Sequence, residues 1–545
     1  MEKFRTLLYV SLALVLFLIW QAWERDYGQL AQPDTAEPAA QQAPQNEDVP
    51  SAPTAPVTVT ALDAAPASTP KLPSQGKRIH VMTDVFDIEI DTQGGDLRKV
   101  DLIKYPVAVD QPDQPFRLMT DKQDELFISQ SGLLGDNAPK HTTVYKSAAD
   151  NYVMREGEDK LGVTLEWWGE NGIKIEKVYT FKRGKYDIEV EYRVRNTGNQ
   201  PWTGRLYRQL KRAYAERESK FLYTFTGAVV SGPDEPYEKF DFDDMRDKNL
   251  ARDIKGGWVA MIQHYFLSAW TGEENQANHV YTKVTANDQF VVGMVAGSTQ
   301  VAAGQTAAIK ARMFVGPKLQ NELETLAPHL ELTVDYGWLT VVAKPIYWLM
   351  KQVHNVVGNW GWSIIILTLL IKLLFYKLSE TSYRSMARMR KVTPRLQALK
   401  ERYGDDKQGM QQAMMKIYQE EKINPFGGCF PILIQIPVFI ALYWVLLESV
   451  ELRQAPFIFW IKDLSTADPY YVLPLVMGVT MFLQQKLNPA PLDEMQKKIM
   501  MMLPVMFTVF FLFFPAGLVL YWTVNNILSI AQQWVITKRI TEGKE

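Results

Sequence analysis

"LTLLIKLLFYKLSET", residues 367–381, sets an ammonium group inside an apolar run. Lys372 sits among leucines and isoleucines, where a charge costs about 3 kcal/mol even on mild membrane-insertion scales. Read outward from this stretch, the last third of the chain divides by length into membrane spans, each needing roughly 20 apolar residues. The spacing predicts transmembrane helices over 359–379, 428–448 and 469–486. The run "IMMMLPVMFTVFFLFFPAGLVLYWTVNNILSIAQQWVI" (499–536) would be about 57 Å long as one helix, nearly twice the hydrocarbon thickness. "FPAG" at 514–517 is a turn signal, so the run is expected to form two spans, 499–514 and 517–536.

The N-terminus, with Lys3 and Arg5 before an apolar run from Leu7 to Trp20 and then Trp23, reads as an uncleaved anchor over 1–25. With it the expected count is six spans. Charge supports that count, because the basic residues gather on one side. The segment 380–427 carries Arg384, Arg388, Arg390, Lys391 and Arg395. The loop 487–498 and the tail 537–545 add Lys497, Lys498, Lys538 and Arg539. The loop 449–468 between them is poor in basic residues and is expected outside. Both termini are therefore expected in the cytoplasm.

Lys372 has two readings. It lies five residues before Lys377, about 7.5 Å along a helix, so its stem nearly reaches the cytoplasmic boundary by snorkelling. The other spans shift the balance. Thr368 shares its face; Gln435, Thr480 and Gln484 sit in other spans. In the last span Trp522, Asn525, Asn526, Ser529, Gln532 and Gln533 form one stripe. Each amide alone is explained by interhelix hydrogen bonding. The set is more economically satisfied by a common wet groove containing Lys372.

Elsewhere the texture is polar. Residues 26–76, rich in Ala, Pro, Gln, Thr and Ser, cannot bury enough surface to fold and read as a linker. From 77 to 334, "FDIEIDTQGGDLRKVDL", "VTLEWWGENGIKIEKVYTF" and "KYDIEVEYRVRNTGNQPW" alternate apolar and polar residues between Gly-Gly, Asn-Gly and Asn-Thr-Gly turns. That period predicts antiparallel strands and one large β-sandwich. Trp167, Trp168 and Trp258 are expected to pack rather than to bind a ligand. Residues 335–358, amphipathic, aromatic-rich and interrupted by Pro345, predict an interfacial helix. Residues 380–427 read as a basic helical hairpin turning at Gly404–Asp406. Its Met386, Met389, Met410, Met414 and Met415 suit contact with apolar segments, and its charge suits anionic lipid, ribosomal RNA or a nascent chain.

The near-neutral charge balance of the 545 residues argues against a nucleic-acid binder driven by net charge. A single cysteine, Cys429, excludes an internal disulfide framework. HExxH, GxSxG and P-loop motifs are missing, and the six histidines lack metal-ligand spacing. No enzyme, metal or cofactor is expected. A Ser–Lys hydrolase using Ser363 or Ser379 fails because neither serine is four residues from Lys372. A solute transporter or channel using Lys372 as an anion site is the rival reading, but no internal repeat accompanies it. A periplasmic scaffold would leave the polar faces without a purpose.

"NWGWSIIILTLLIK", "NPFGGCFPILIQIPVFIALYWVL", "VELRQAPF", "DPYYVLPLVMGVTMFLQQK" and "FPAGLVLYWTVNN" resemble the YidC family of membrane protein insertases. The resemblance covers 335–540, and the β domain and linker are similar to those of Gram-negative members. It implies an α-helical polytopic protein of the bacterial inner membrane, with six transmembrane helices, a five-helix insertase core and a large all-β periplasmic domain. It further implies insertion and chaperoning of nascent membrane proteins, alone or with the Sec translocon. Chains would arrive from ribosomes through the signal recognition particle receptor. The lipid bilayer is a partner; a small-molecule substrate or specific nucleic acid is not. The family's groove arginine falls on Lys372, where a point charge replaces a bidentate guanidinium. The resemblance carries Thr368, Gln435, Gln484, Gln485, Tyr521 and Trp522 into the groove, beside Asn525 and Asn526. A substrate slide is expected over Cys429, Ile436, Pro437 and Met506, and recruitment by Arg384, Arg388, Arg390, Lys391 and Arg395.

Overall fold

The computed structural model describes residues 50, 76–215, 224–404, 406–421, 430–488 and 494–541. The expected anchor 1–25, nearly all of the linker 26–76, and Cys429 lie outside the described residues.

Alternation becomes two facing sheets. One has ten strands, running from Ala251–Lys255 at one edge to Asn151–Val153 at the other; the second has nine, from Glu238–Phe240 to Lys146–Ser147. The strands extend from Arg78 to Pro317, nearly all antiparallel, and the inward residues of both sheets form the core. Turn chemistry fixes the register. Asn171 and Gly172 take φ of 55° and 76° between strands Lys160–Trp168 and Ile173–Lys182, the two positive angles a tight hairpin of matching twist requires. Trp258 is buried and donates to the Pro328 carbonyl at 3.0 Å. Trp168 is half exposed, flanked by Lys146 and Lys174 at 5.3 and 5.5 Å from its ring.

The sandwich also buries a charge-bearing side chain. In strand Ile173–Lys182 the inward phase reads Ile173, Ile175, Lys177, Tyr179, Phe181. Lys177 Nζ donates to the carbonyls of Gly94 at 2.9 Å and Ser131 at 3.3 Å. Burial pushes its ammonium down to about 7, only partly opposed by Asp96.

Beyond the sandwich the chain turns helical. Pro345 does not interrupt the expected interfacial helix, which is continuous from Thr340 to Val357. The proline sits in its second turn and deprives only the Val341 carbonyl of a donor, at an exposed position that water can serve. Ala343, Ile346, Tyr347 and Met350 face inward, against helices Trp360–Leu374 and Phe430–Glu448. Trp338, Val341, Trp348 and Val356 face outward.

Trp360–Leu374 starts on an Asn359 cap, whose side chain accepts from Trp362 N–H at 3.1 Å. A Cβ at Gly361 would stand 2.0 Å from the Phe457 ring, so glycine permits the contact. The helix ends at Leu374, short of the expected 379, and Tyr376–Tyr403 leaves it at 69°. The bend at Phe375 lays Ser379 and Ser382 inward, alongside helix Ala516–Thr541. Among the described residues no single helix is both long and apolar enough to cross a membrane, and only this bent pair passes together. In Ala516–Thr541, which is 26 residues long, the amides of the polar stripe lower the hydropathy. Val472–Leu487 and Glu494–Phe511 touch closely at Gly478, where a Cβ would come within 2.0 Å of Thr508 Oγ1.

The sandwich and the helices meet at the C-terminal end of Phe430–Glu448. His264 Nε2 bonds the Leu447 carbonyl at 2.9 Å, and Lys318 Nζ lies 3.8 Å from the Glu448 carboxylate. Arg453 and Gln454 each donate to the Pro106 carbonyl at 2.8 Å. Tyr347 donates to Glu451.

Lys177 carries a pH signature. Its folded value near 7 lies below the unfolded value near 10.5, so between them the unfolded chain holds the proton and the folded chain does not. Stability should therefore rise with pH across that window and be lost as pH falls toward 7. Thermal unfolding of the detergent-solubilised chain at about pH 7.5 and about pH 9.5 reads this slope, and Lys177→Met should flatten it.

Candidate functional site

Four helices line an open cavity of about 400 Å³. Phe430–Glu448 contributes Gln435, Ile436 and Phe439; Val472–Leu487 contributes Met481, Gln484 and Gln485, with Asn488 just beyond. Glu494–Phe511 lends Met500, Leu503, Pro504 and Phe507, and Ala516–Thr541 lends Tyr521, Trp522, Asn525 and Asn526. Each set recurs at three- or four-residue steps, the condition for one helical face. The floor is aromatic: Phe439 meets Trp522 edge-on at 4.6 Å, and Phe507 and Phe511 lie 6.2 and 5.0 Å from the same indole.

The amides have two fates. Asn526 Nδ2 donates to Thr480 Oγ1 at 3.3 Å, and Gln533 Nε2 to the Leu487 carbonyl at 3.2 Å, which is interhelix bonding. Asn525 Oδ1 and both amide atoms of Gln532 are buried without a partner among the described residues. An unpaired amide away from water is costly. Asn525 lines the cavity, although its Oδ1 is itself turned away from solvent.

Of the residues the sequence brought forward, Gln435, Gln484, Gln485, Tyr521, Trp522, Asn525 and Asn526 converge on this cavity. Thr368 and Lys372 stand outside its lining. Thr368 Oγ1 returns to the Ile364 carbonyl of its own helix at 2.6 Å, the usual back-bond of a helical threonine. Lys372, 8 % exposed, donates from Nζ to Ser529 Oγ at 2.8 Å. Ser529 in turn donates to the Asn525 carbonyl at 2.7 Å. The ammonium is thus linked to the cavity wall through one turn of Ala516–Thr541. An anion site for a solute carrier finds no cation in the cavity lining.

Ile436 belongs to the cavity wall, and Pro437 lies next to it inside the helix. Met506, 55 % exposed, faces outward with Met502, Val505 and Val509 rather than inward. The hairpin pairs Tyr376–Tyr403 with Lys407–Glu420, closed by Val392 and Leu396 against Met389, Met414, Ile417 and Tyr418. Arg384 is matched by Glu380 at 3.0 Å and Arg395 by Glu421 at 2.8 Å. Arg388, Arg390 and Lys391 are exposed.

Sequence reasoning passed over Phe439, Met481, Met500, Leu503, Pro504 and Phe507. Phe439 had a signal, lying four residues from Gln435 on its face. The methionine and phenylalanine positions of Glu494–Phe511 had none, because a lipid-facing stripe has the same spacing.

The chain thus combines a large two-sheet all-β domain with a helical bundle around an amide-bearing cavity. Comparison with known proteins gives it a family. Residues 78–349 match the family model described as "YidC periplasmic domain", and 352–544 match "60Kd inner membrane protein". "Membrane protein insertase YidC" of Thioalkalivibrio sulfidiphilus is 54% identical over 100% of this chain and 99% of its own length. Its namesake in Nitrosococcus oceani is 50% identical over 99% and 100%. A solved structure described as "Active YidC insertase crystal structure with the first transmembrane domain resolved" aligns with 84% of this chain and 92% of its own, at 19% identity and a TM-score of 0.39. The chain belongs to the YidC family of membrane protein insertases. It is a bacterial inner-membrane protein with a periplasmic domain, and its role is insertion, which is not an enzymatic reaction.

The cavity's openness is measurable by thiol labelling. In a Cys429→Ser background, a cysteine at Gln484 should react with a polar maleimide on the order of tenfold faster than one at the fully buried Leu367. Equal rates would mean a closed cavity.

Proposed function

We propose that the chain crosses the inner membrane six times, with both termini in the cytoplasm. The spans are the anchor 1–25 and a five-helix core: Trp360–Leu374, Phe430–Glu448, Val472–Leu487, Glu494–Phe511 and Ala516–Thr541. Charge supports this orientation. The sandwich meets the Glu448 end of the bundle, whereas Lys486, Lys538 and Arg539 close the opposite helix ends.

The cavity receives the short hydrophilic part of a nascent membrane protein. The observation that carries this reading is the gathering of six amides, Gln435, Gln484, Gln485, Asn488, Asn525 and Asn526, in one cavity wall that is otherwise largely apolar. A polar segment entering hydrocarbon loses its hydrogen bonds with water. Gln435, Gln484, Gln485, Asn525 and Asn526 replace some of them halfway across. Lys372 acts through the electrostatic field rather than by contact. At a distance of about 8 Å and an effective dielectric of about 20, a unit charge attracts an acidic residue by about 2 kcal/mol. The substrate's apolar helix leaves along Ile436, Pro437 and the outward face carrying Met506, with Cys429 at its start. Partition into lipid drives that step, and the membrane potential adds about 2.3 kcal/mol per charge per 100 mV.

The hairpin serves recruitment. Exposed Arg388, Arg390 and Lys391, together with Arg384 and Arg395, suit an approaching ribosome or signal recognition particle receptor. The chain acts alone or beside the Sec translocon. No cofactor enters this mechanism.

Photocrosslinkers at Gln435 and Trp522 should capture a stalled nascent membrane protein, while one at outward Val341 should not. Lys372→Arg should retain insertion and Lys372→Ala should slow clients with acidic translocated segments several-fold. Equal insertion of every client by both variants would remove the electrostatic role.

A further inference from the structure

Phe430–Glu448 ends differently from two of its neighbours. Lys486 lies in the last turn of Val472–Leu487, and Lys538 and Arg539 in that of Ala516–Thr541, where cations complement the negative end of a helix dipole. Phe430–Glu448 has no basic residue in its last turn and closes on a carboxylate. Glu448 is only 3 % exposed, so the wrong charge at a helix C-terminus is also withdrawn from water.

What offsets it comes from the sandwich. Lys318, one residue past the last strand Thr306–Pro317 and 2 % exposed, lies 3.8 Å from the Glu448 carboxylate. His264, on the turn between strands Trp258–Ile262 and Phe266–Thr271, bonds the Leu447 carbonyl at 2.9 Å and stacks on Tyr265 at 3.7 Å. A carbonyl can only accept, so Nε2 carries the proton. Burial and the nearby Lys318 push His264 down to about 4, which keeps the ring neutral and that tautomer available at neutral pH. The helix thus receives one carbonyl partner, at Leu447, and a counter-charge from another domain, while Ser449 just past its end donates to the Val445 carbonyl.

The capped helix is also a wall of the cavity. Phe439, between the cap and the Gln435–Ile436 stretch, packs on Trp522 and Tyr521 at 4.6 and 5.7 Å. Pro437 removes one backbone bond just below it, separating a held segment, 438–448, from the part that carries Gln435. We infer that Lys318 and His264 are positioning residues for insertion: by capping Phe430–Glu448 from the periplasmic domain they fix the wall of the substrate cavity. The inference rests on the cavity reading given above.

The test uses full-length protein in proteoliposomes. Spin labels at Ile440→Cys and Met502→Cys, in a Cys429→Ser background, report the separation of two cavity-forming helices from positions outside the cavity lining. Insertion is measured on unlabelled variants. Lys318→Met removes the ion-pair partner of Glu448, leaving only the field of Lys239, and should broaden the distance distribution and slow insertion several-fold. Lys318→Met with Glu448→Met removes both charges from the buried site and should restore both readings. That rescue separates positioning from general loss of the domain. His264→Phe keeps the ring stack but not the bond to Leu447; it should shift both readings in the same direction by less, and it serves should Lys318→Met not fold. Wild-type distances and insertion in His264→Phe and Lys318→Met would overturn the inference, as would slowed insertion at an unchanged distance distribution. Loss of Gln435 crosslinks in the unmodified chain would instead overturn the cavity reading, a result the distance measurement cannot produce.

Discussion

A polar group withdrawn from water must be given a partner or a cavity, and this chain meets that demand across elements rather than within them. Lys372 of one helix finds Ser529 of another, Asn526 finds Thr480, Lys177 finds the carbonyls of Gly94 and Ser131 on the opposite sheet, and Glu448 finds Lys318. Each pairing ties two elements at a defined depth, because misregistration would leave a buried group bare. Apolar contacts alone, such as those of Phe507 and Phe511 around Trp522, tolerate sliding far better. The demand is left open at several buried atoms, Asn525 Oδ1 in the cavity wall among them.

The two-sheet domain was legible because period-two alternation and paired positive-φ turns are local properties. Asn171–Gly172 and Gly94–Gly95 mark their hairpins with no help from the rest of the fold. The same alternation held information that went unread. Lys177 stands in the inward phase of Ile173, Ile175, Tyr179 and Phe181, so its burial is written in the strand itself. The polar stripe of the last helix was likewise legible as a stripe. Its division between interhelix bonds and cavity was not, since that depends on which neighbour each amide meets. Pro345 shows the opposite error: proline was read as an interruption, but in an early turn beside an exposed carbonyl it is tolerated. The bend at Phe375 has neither proline nor glycine to announce it and arises from packing on Ala516–Thr541. Lys318 and Glu448 are far apart in the chain, and neither stands out as one member of a pair.

The junction changes how the domains divide labour. The sandwich has its own core, a polar surface and a conventional tether in helix Thr340–Val357, and by those features it could hang loosely from the membrane part. The contacts of His264, Lys318 and the Pro106 carbonyl point to a firmer attachment, made at and just beyond the Glu448 end of helix Phe430–Glu448. The basic hairpin at the other end is fastened near its start, where Ser379 and Ser382 lie against Ala516–Thr541, and further out closes on its own small cluster around Val392 and Leu396.

The bond between Lys372 and Ser529 spans 157 positions of sequence. Translation runs at roughly 5 to 20 residues per second, so the lysine is made about 8 to 30 s before its acceptor exists. During that interval the unfinished chain carries a cation in an apolar helix with no finished bundle to receive it, and its long stem must reach for water. The machine that shelters other proteins through this stage passes through it unsheltered, unless an older copy stands beside the ribosome that is making the new one.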